Sequence, residues 1–217
     1  MTVLITGASR GIGAALAEAA TRAGHDVIGT ARDPKSGSGL LPLEVTDQAS
    51  HARLAETVGH RPIETLVCNA GVYPDKGQTL ADGYPADMWA EGFAANVTGV
   101  FLTIQTLLPN LRAAHGAKIG IISSQMASHT RAPGGSYIYR ASKAAVLNLG
   151  RNLATDLAGE GIAVGIYHPG WVRTDMGGAS ADIGVEEAAT GLLDRLASLS
   201  IATTGVFETW DGRSHPY

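Results

Sequence analysis

Tyr139 and Lys143 stand four apart in the stretch GGSYIYRASKAAV, residues 134–146, so on a helix they share one face. A free phenol ionises near pH 10 and trades protons poorly at neutral pH. A fixed ammonium beside it stabilises the phenolate and lowers that value. The pair suits reduction of a carbonyl, where charge builds on oxygen as hydride arrives at carbon and a phenol stabilises and then protonates it. Tyr137 is the competing candidate. It has Ala141 at i+4 and only Arg140, at i+3, as a basic neighbour on its face. Spacing therefore favours Tyr139 as the acid and leaves Tyr137 to packing or a pocket wall. Such spacing also occurs by chance in many helices, so the rest of the chain has to support it.

A second chemical signal lies at the start. VLITGASRGIG places Gly7, Gly11 and Gly13 between an apolar run and an Ala-rich helical pattern. Glycines here permit a tight turn and close approach of a pyrophosphate, and the helix N-terminus offers unpaired N–H groups to the phosphates. The spacing is GxxxGxG rather than GxGxxG, and no Gly-Lys-Ser/Thr follows, so a P-loop is excluded. The next apolar run ends in GTARD, where an acid would select NAD and an arginine NADP. Thr30 and Ala31 are not acidic, and Arg32 suits a 2′-phosphate that Arg10 could also reach. Asp33 weakens that argument by one charge. The reading is NADP(H), with NAD(H) possible.

These groups need a frame. Short apolar runs at Thr2–Ile5, Asp26–Thr30, Leu40–Val45, Ile63–Cys68, Lys118–Ser123, Ile162–Tyr167 and Thr204–Glu208 read as about seven strands. Helical patterns cover Gly11–Ala23, Gln48–Val58, Ala86–Leu111 (softened by Gly92 and Gly99), Tyr137–Leu157 and Val185–Leu199. The alternation predicts an α/β fold, a doubly wound, Rossmann-like parallel sheet covered on both faces, in a single domain spanning 1–217. The connection ARDPKSGSGL is shorter than the dozen or more residues of a usual parallel crossover. A loop is expected to replace the helix between the second and third strands.

Composition narrows the class. A net charge of −4 and no Lys/Arg cluster argue against nucleic acid. The single cysteine, Cys68, permits no internal disulfide and makes a cytoplasmic setting the default. The sequence shows neither a signal peptide nor an uninterrupted run of 18 apolar residues, so no membrane span is expected. The seven histidines form no HxxxH pair, and no metal site is expected.

Taken in order, TGASRGIG at 6–13, NAG at 69–71, Asn96 in AANVTGVF, IISS at 121–124, YRASK at 139–143 and HPGWVRT at 168–174 resemble the single-domain short-chain dehydrogenase/reductase family over nearly the whole chain. YRASKAA, HPGWVRTDMGG and GVFETWDGRSHPY resemble its C-factor and sniffer-type carbonyl reductases most. The resemblance implies roles. Tyr139 would be the general acid/base, and Lys143 would lower its pKa and bind the nicotinamide ribose. Ser124 would hydrogen-bond the substrate carbonyl, and Asn96 would hold a water that relays protons to Lys143. Gly7, Ser9, Arg10, Gly11, Ile12 and Gly13 would hold the pyrophosphate side of the cofactor. Arg32, Glu44, Val45, Asn69, Ala70 and Gly71 would line its adenosine, and Pro169, Gly170, Val172 and Thr174 its nicotinamide. Family relatives often pair through the helices matching 86–111 and 137–157, which implies a homodimer or homotetramer. Ala141, Ala144, Ala145 and Gly150 are small enough for such pairing, or for facing the core.

Three departures stand out. Many members place the serine thirteen residues before the tyrosine, where this chain has Met126. Ser124 precedes Tyr139 by fifteen, while pairing it with Tyr137 restores thirteen and forfeits the lysine; Ser123 and Ser128 are weaker rivals. The family's usual NNAG is CNAG here, and the Asp usual after the third strand is Glu44, with Asp47 next door suited to capping the following helix. His168 and His129 are read as non-catalytic. The 171–184 segment is either a substrate lid or a plain surface loop, and 73–85 is a further candidate pocket wall. The chain is expected to reduce or form small carbonyl compounds. An extended-branch epimerase or dehydratase is disfavoured by the 74 residues after Lys143. A dinucleotide-sensing or signalling protein with little turnover remains the alternative.

Overall fold

The computed structural model describes residues 1–217. Seven parallel strands, β1 (Thr2–Ile5), β2 (Asp26–Ala31), β3 (Leu41–Pro42), β4 (Thr65–Cys68), β5 (Lys118–Ile122), β6 (Ala163–His168) and β7 (Phe207–Thr209), form one sheet in the order β3-β2-β1-β4-β5-β6-β7. The helices are α1 (Gly11–Arg22), α2 (Gln48–Val58), α3 (Ala86–Phe93), α4 (Gly99–Arg112), α5 (Tyr137–Ala158) and α6 (Val185–Ser198). The expected doubly wound fold is the one observed. The strand order reverses between β1 and β4, so the ends of these two strands open a crevice, the usual ligand position in such folds.

The continuous apolar strands follow from burial on both sides. In β1, Leu4 enters the core formed with α4 and α5, while Val3 and Ile5 enter the core formed with α1 and α6. Gly150 of α5 faces this sheet: a β-carbon there would lie 2.6 Å from Ile166 and 3.1 Å from Ile121. That position is taken up by the core and does not offer a surface to a second helix.

The β2–β3 link is a loop over residues 32–40, as expected. β3 itself is two residues long rather than six. Leu43 N still donates to Ala31 O at 2.8 Å, β2 ends there, and the Glu44 carbonyl then accepts from Asp47 N at 3.0 Å, turning the chain away. The Asp47 carboxylate then caps α2, accepting from Ala49 N at 3.0 Å and Ser50 N at 3.1 Å. The helical stretch expected over Ala86–Leu111 is divided by a π-helical segment, Ala94–Thr98. Its glycines serve close approach. A β-carbon at Gly92 would meet Ile138, and one at Gly99 the Val45 carbonyl at 2.8 Å. Ala86–Arg112 is long and apolar enough to cross a membrane by length and composition, yet Val100, Ile104, Leu107 and Leu111 are buried in the core.

β7 begins three residues later than expected. Thr204 Oγ1 accepts from Val164 N at 2.9 Å, and Gly205 turns at φ 85 before the strand starts. Residues 213–215 fold back along its outer edge, with Thr209 N donating to Arg213 O at 2.9 Å and His215 N to Phe207 O at 2.8 Å.

Candidate active site

The glycine turn sits at the end of β1 because only glycine fits it. Gly7 has φ +69, and a β-carbon there would lie 3.0 Å from the Ala70 backbone. A β-carbon at Gly13 would strike the Gly7 carbonyl oxygen and lie 2.5 Å from Asn69 Nδ2. Asn69 straps the turn, its Nδ2 donating to Thr6 O at 2.9 Å and Gly7 O at 3.1 Å. Thr6 Oγ1 accepts from Asn69 N and Ala70 N at 3.0 and 3.1 Å. The N-terminus of α1 has no side-chain cap and no acid in its first turn. Its free N–H groups fit an anion such as a pyrophosphate. Ser9 and Arg10 are exposed on this turn, and Ile12 packs against the core.

At the ends of β4 and β5 the residues expected to react converge. Tyr139 and Lys143 lie in the first two turns of α5, both buried, with the ammonium 5.7 Å from the phenol ring centre. Lys143 Nζ donates to Ile122 O at 2.9 Å. A β-carbon at Gly71 would sit 2.9 Å from Asn96 Oδ1 and 3.5 Å from Lys143 Nζ, so glycine lets these three meet. Asn96 lies in the π-helical segment, a frequent feature of functional sites. Its Nδ2 donates to Val72 O at 2.9 Å and Ser142 Oγ at 3.0 Å, and its Oδ1 accepts from Val72 N at 2.8 Å. Ser124 follows β5, accepts from Met126 N at 3.1 Å and stands close enough to the Tyr139 phenol to lower its pKa. Ser123 instead donates to Lys143 O, and Ser128 pairs with Thr130. Tyr137 is 37% exposed and packs edge-on against Tyr84, apart from this cluster.

Burial governs the protonation states. It pushes the Tyr139 phenol up to about 12, partly offset by the Ser124 hydroxyl and reinforced by Tyr73 and Asp75. Burial also pulls the Lys143 ammonium down to about 8. The lowering of the phenol anticipated from Lys143 is not observed: burial dominates, and the one group that lowers the phenol is Ser124. A phenol held this high keeps its proton at neutral pH, which suits donation to a more basic alkoxide.

The 169–178 segment crosses the mouth of the crevice. Gly170 takes φ +91, and a β-carbon there would lie 2.5 Å from Ile183. Pro169 precedes it, and Val172 is buried and bridges to Ile183. Thr174 Oγ1 accepts from Gly177 N at 3.0 Å, and its methyl would lie 3.5 Å from a β-carbon on Gly11. Arg10 pairs with Asp175 at 2.5 Å, Lys76 Nζ donates to Met176 O at 3.1 Å, and Trp171 Nε1 donates to Gly177 O at 2.9 Å. The segment is tied down on both sides of the crevice. Arg32 lies 3.7 Å from Asp33 and 3.9 Å from Glu44. Glu44 also accepts from Thr46, and Val45 packs on the core beneath. Both arginines suited to a 2′-phosphate therefore have acidic neighbours.

The sequence marked 73–85 as a candidate pocket wall but gave Tyr73 and Asp75 no individual roles. The Tyr73 ring stacks on Tyr139 with centres 4.2 Å apart and planes 18° apart, and its hydroxyl pairs with Ser136 Oγ at 2.5 Å. Asp75 reaches α5 from 63 residues away, and no periodic pattern announces such a contact. His168 is buried with its ring 5.7 Å from that of His215; burial first, then His215 and Arg131, hold it down at about 4. His129 is exposed, and the buried Cys68 thiol is pushed up to about 12.

Known proteins share this fold. The chain superimposes on the NADPH-bound carbonyl reductase from chicken fatty liver with a TM-score of 0.90 and 31% identity, covering 100% of this chain and 98% of that one. It is 35% identical to the C-signal protein of Myxococcus xanthus over 157 residues, 72% of this chain and 93% of that one. It is 32% identical to the 1-hydroxy-2-glutathionyl-2-methyl-3-butene dehydrogenase of Rhodococcus sp. (strain AD45) over 225 aligned positions, 97% of each chain. The family model described as short chain dehydrogenase matches residues 1–182, and the chain belongs to that family.

Proposed function

We propose that this chain is an NADP(H)-preferring oxidoreductase that interconverts a small-molecule carbonyl and an alcohol. The observation that carries the reading is the convergence of Tyr139, Lys143, Ser124 and Asn96 beside an uncapped helix N-terminus and its glycine turn. The likeness to an NADPH-bound carbonyl reductase over the whole chain supports it. When bound, the nicotinamide supplies or takes the hydride.

The chain's own residues do the rest. Ser124 holds the carbonyl oxygen and Tyr139 gives it a proton as charge builds there. Lys143 binds the ribose hydroxyls and replaces the phenol's proton, with Asn96 linking that route to solvent. Gly7, Ser9, Arg10, Gly11, Ile12 and Gly13 hold the pyrophosphate. Arg10 and Arg32 attract the 2′-phosphate in competition with Asp175, Asp33 and Glu44. Glu44, Val45 and 69–71 flank the adenosine, and Pro169, Gly170, Val172 and Thr174 the nicotinamide. The protein works in the cytoplasm as a homodimer or homotetramer.

The test is NADPH and NADH oxidation with a panel of aldehydes, ketones and diketones, beside Tyr139→Phe. Removing the reacting phenol is expected to cut turnover by about 100-fold or more while cofactor binding persists. Similarity to the C-signal protein favours a second reading, a dinucleotide-binding signalling protein with little turnover. Cofactor binding with no carbonyl consumed by wild type would favour that second reading.

A further inference from the structure

Helix α5 carries the reacting phenol yet has no cap of its own. The residue before it, Ser136, sits in the left-handed region at φ 49 and makes no side-chain cap bond. The missing acceptor comes from another part of the chain. Asp75 Oδ2 accepts from Ile138 N at 2.8 Å, and the two carboxylate oxygens lie 3.2 and 3.4 Å from Tyr139 N. Asp75 is 1% exposed, whereas residues 76–82 beside it are all exposed. It forms no ion pair. A buried carboxylate without a cation is costly unless hydrogen-bonded, and here the helix N-terminus compensates it.

We propose that Asp75 is a positioning residue for Tyr139: it anchors the first turn of α5 through the tyrosine's own backbone N–H and sets a buried negative charge beside the phenol. The inference rests on Tyr139 being the proton donor of the proposed reaction.

Two effects follow. The carboxylate and the Tyr73 stack fix where the phenol stands, from the backbone side and from the ring face. The charge also opposes formation of a phenolate, so the phenol stays loaded for reduction. Around Tyr139 stand Lys143 from α5, Ser124 from the end of β5, Tyr73 on the ring face, and Asp75 at the backbone N–H. Lys143 is the one cation among them. Removing the Asp75 charge takes away one of the influences that hold the phenol protonated, while burial and Tyr73 remain.

The test separates charge from capping. Asp75→Asn keeps an acceptor oxygen and removes the charge, and Asp75→Ser is a second neutral cap should the first fail to fold. Tyrosine Cζ carbon-13 resonances are followed against pH in the cofactor-free protein, with Tyr139 assigned by its loss in Tyr139→Phe. The pH profile of carbonyl reduction is recorded on the same proteins. In either neutral variant, ionisation of Tyr139 is expected at least about half a pH unit lower than in wild type, because a nearby like charge has been removed. The alkaline fall in reduction rate is expected to begin earlier by the same amount. An unchanged Tyr139 titration in a variant of wild-type melting temperature would overturn the proposal and leave Asp75 a plain cap. Absence of turnover in wild type, with the titration shift intact, would instead strike the proposed reaction and leave the charge effect standing.

Discussion

Replacing Lys143 by Met should make the protein's stability less dependent on alkali. The Lys143 ammonium is enclosed, with Ile122 O as its hydrogen-bond acceptor at 2.9 Å, although an ammonium carries three protons to place. Burial lowers its pKa from 10.5 to about 8. Below about pH 8 both the folded and unfolded chains hold the proton, and the folded state bears the full desolvation cost. As pH rises through about 8 the folded state releases a proton that the unfolded chain keeps up to 10.5, so stability increases. At about 1.4 kcal/mol per pH unit the complete gain is about 3 kcal/mol, of which about 2 kcal/mol falls between about pH 8 and 9.5. Tyr139 acts in the opposite direction only above pH 10, where the unfolded phenol ionises first. The assay is urea unfolding of cofactor-free wild type and Lys143→Met at stepped pH over this range. The quantity read is the difference between the two proteins, in which other titrating groups cancel. A difference that stays constant within about 0.5 kcal/mol would refute the reasoning and mean that water or a carbonyl cage solvates the ammonium.

His168 gives the acid counterpart. Its imidazole is held down at about 4, so the folded state resists the proton that the unfolded chain takes up near 6.5. Stability is expected to fall by up to about 3 kcal/mol as pH drops from 6.5 towards 4, and His168→Asn to flatten that fall in a circular-dichroism acid titration. Gly150→Ala pushes a methyl against Ile166 and Ile121. Overpacking of about 1–3 kcal/mol outweighs the helix-propensity gain of about 1 kcal/mol, and the melting temperature should drop by a few degrees. A rise in melting temperature would mean that this face of α5 is open.

Residues whose roles depend on near neighbours were readable in the chain. The glycine turn, the Tyr139–Lys143 face, the Asp47 cap and the helix-free 32–40 link all follow from local geometry. The choice between Tyr139 and Tyr137 also rests on one turn of helix, and the structure buries the first and leaves the second 37% exposed. What escaped the sequence depends on contacts across the fold. Ala94–Thr98 has an ordinary helical composition, and its π geometry arises where the chain packs among Val72, Ser142 and α5. Glu44 and Val45 sit in an apolar run that reads as a strand, but β2 ends at Ala31 and the chain turns between Glu44 and Asp47. Asp75 looks like a surface acid in YPDKGQ, and its burial depends on a helix that begins 62 residues later. The phenol's high pKa has the same origin: spacing supplies the ammonium, but the depth of burial comes from Tyr73 and the surrounding walls.

Both margins of the sheet are poor templates for another chain's strand. At one side β3 offers two residues, and one of them, Pro42, cannot donate. At the other side β7 is three residues long, and residues 213–215 already occupy its free edge. Open edges are where domain swapping and amyloid-like stacking begin, and short or covered edges suppress both. Aggregation of a partly unfolded chain should therefore start only once 213–217 peels away from β7. Deleting or charging those residues would then raise the tendency to form fibrils before it changed catalysis.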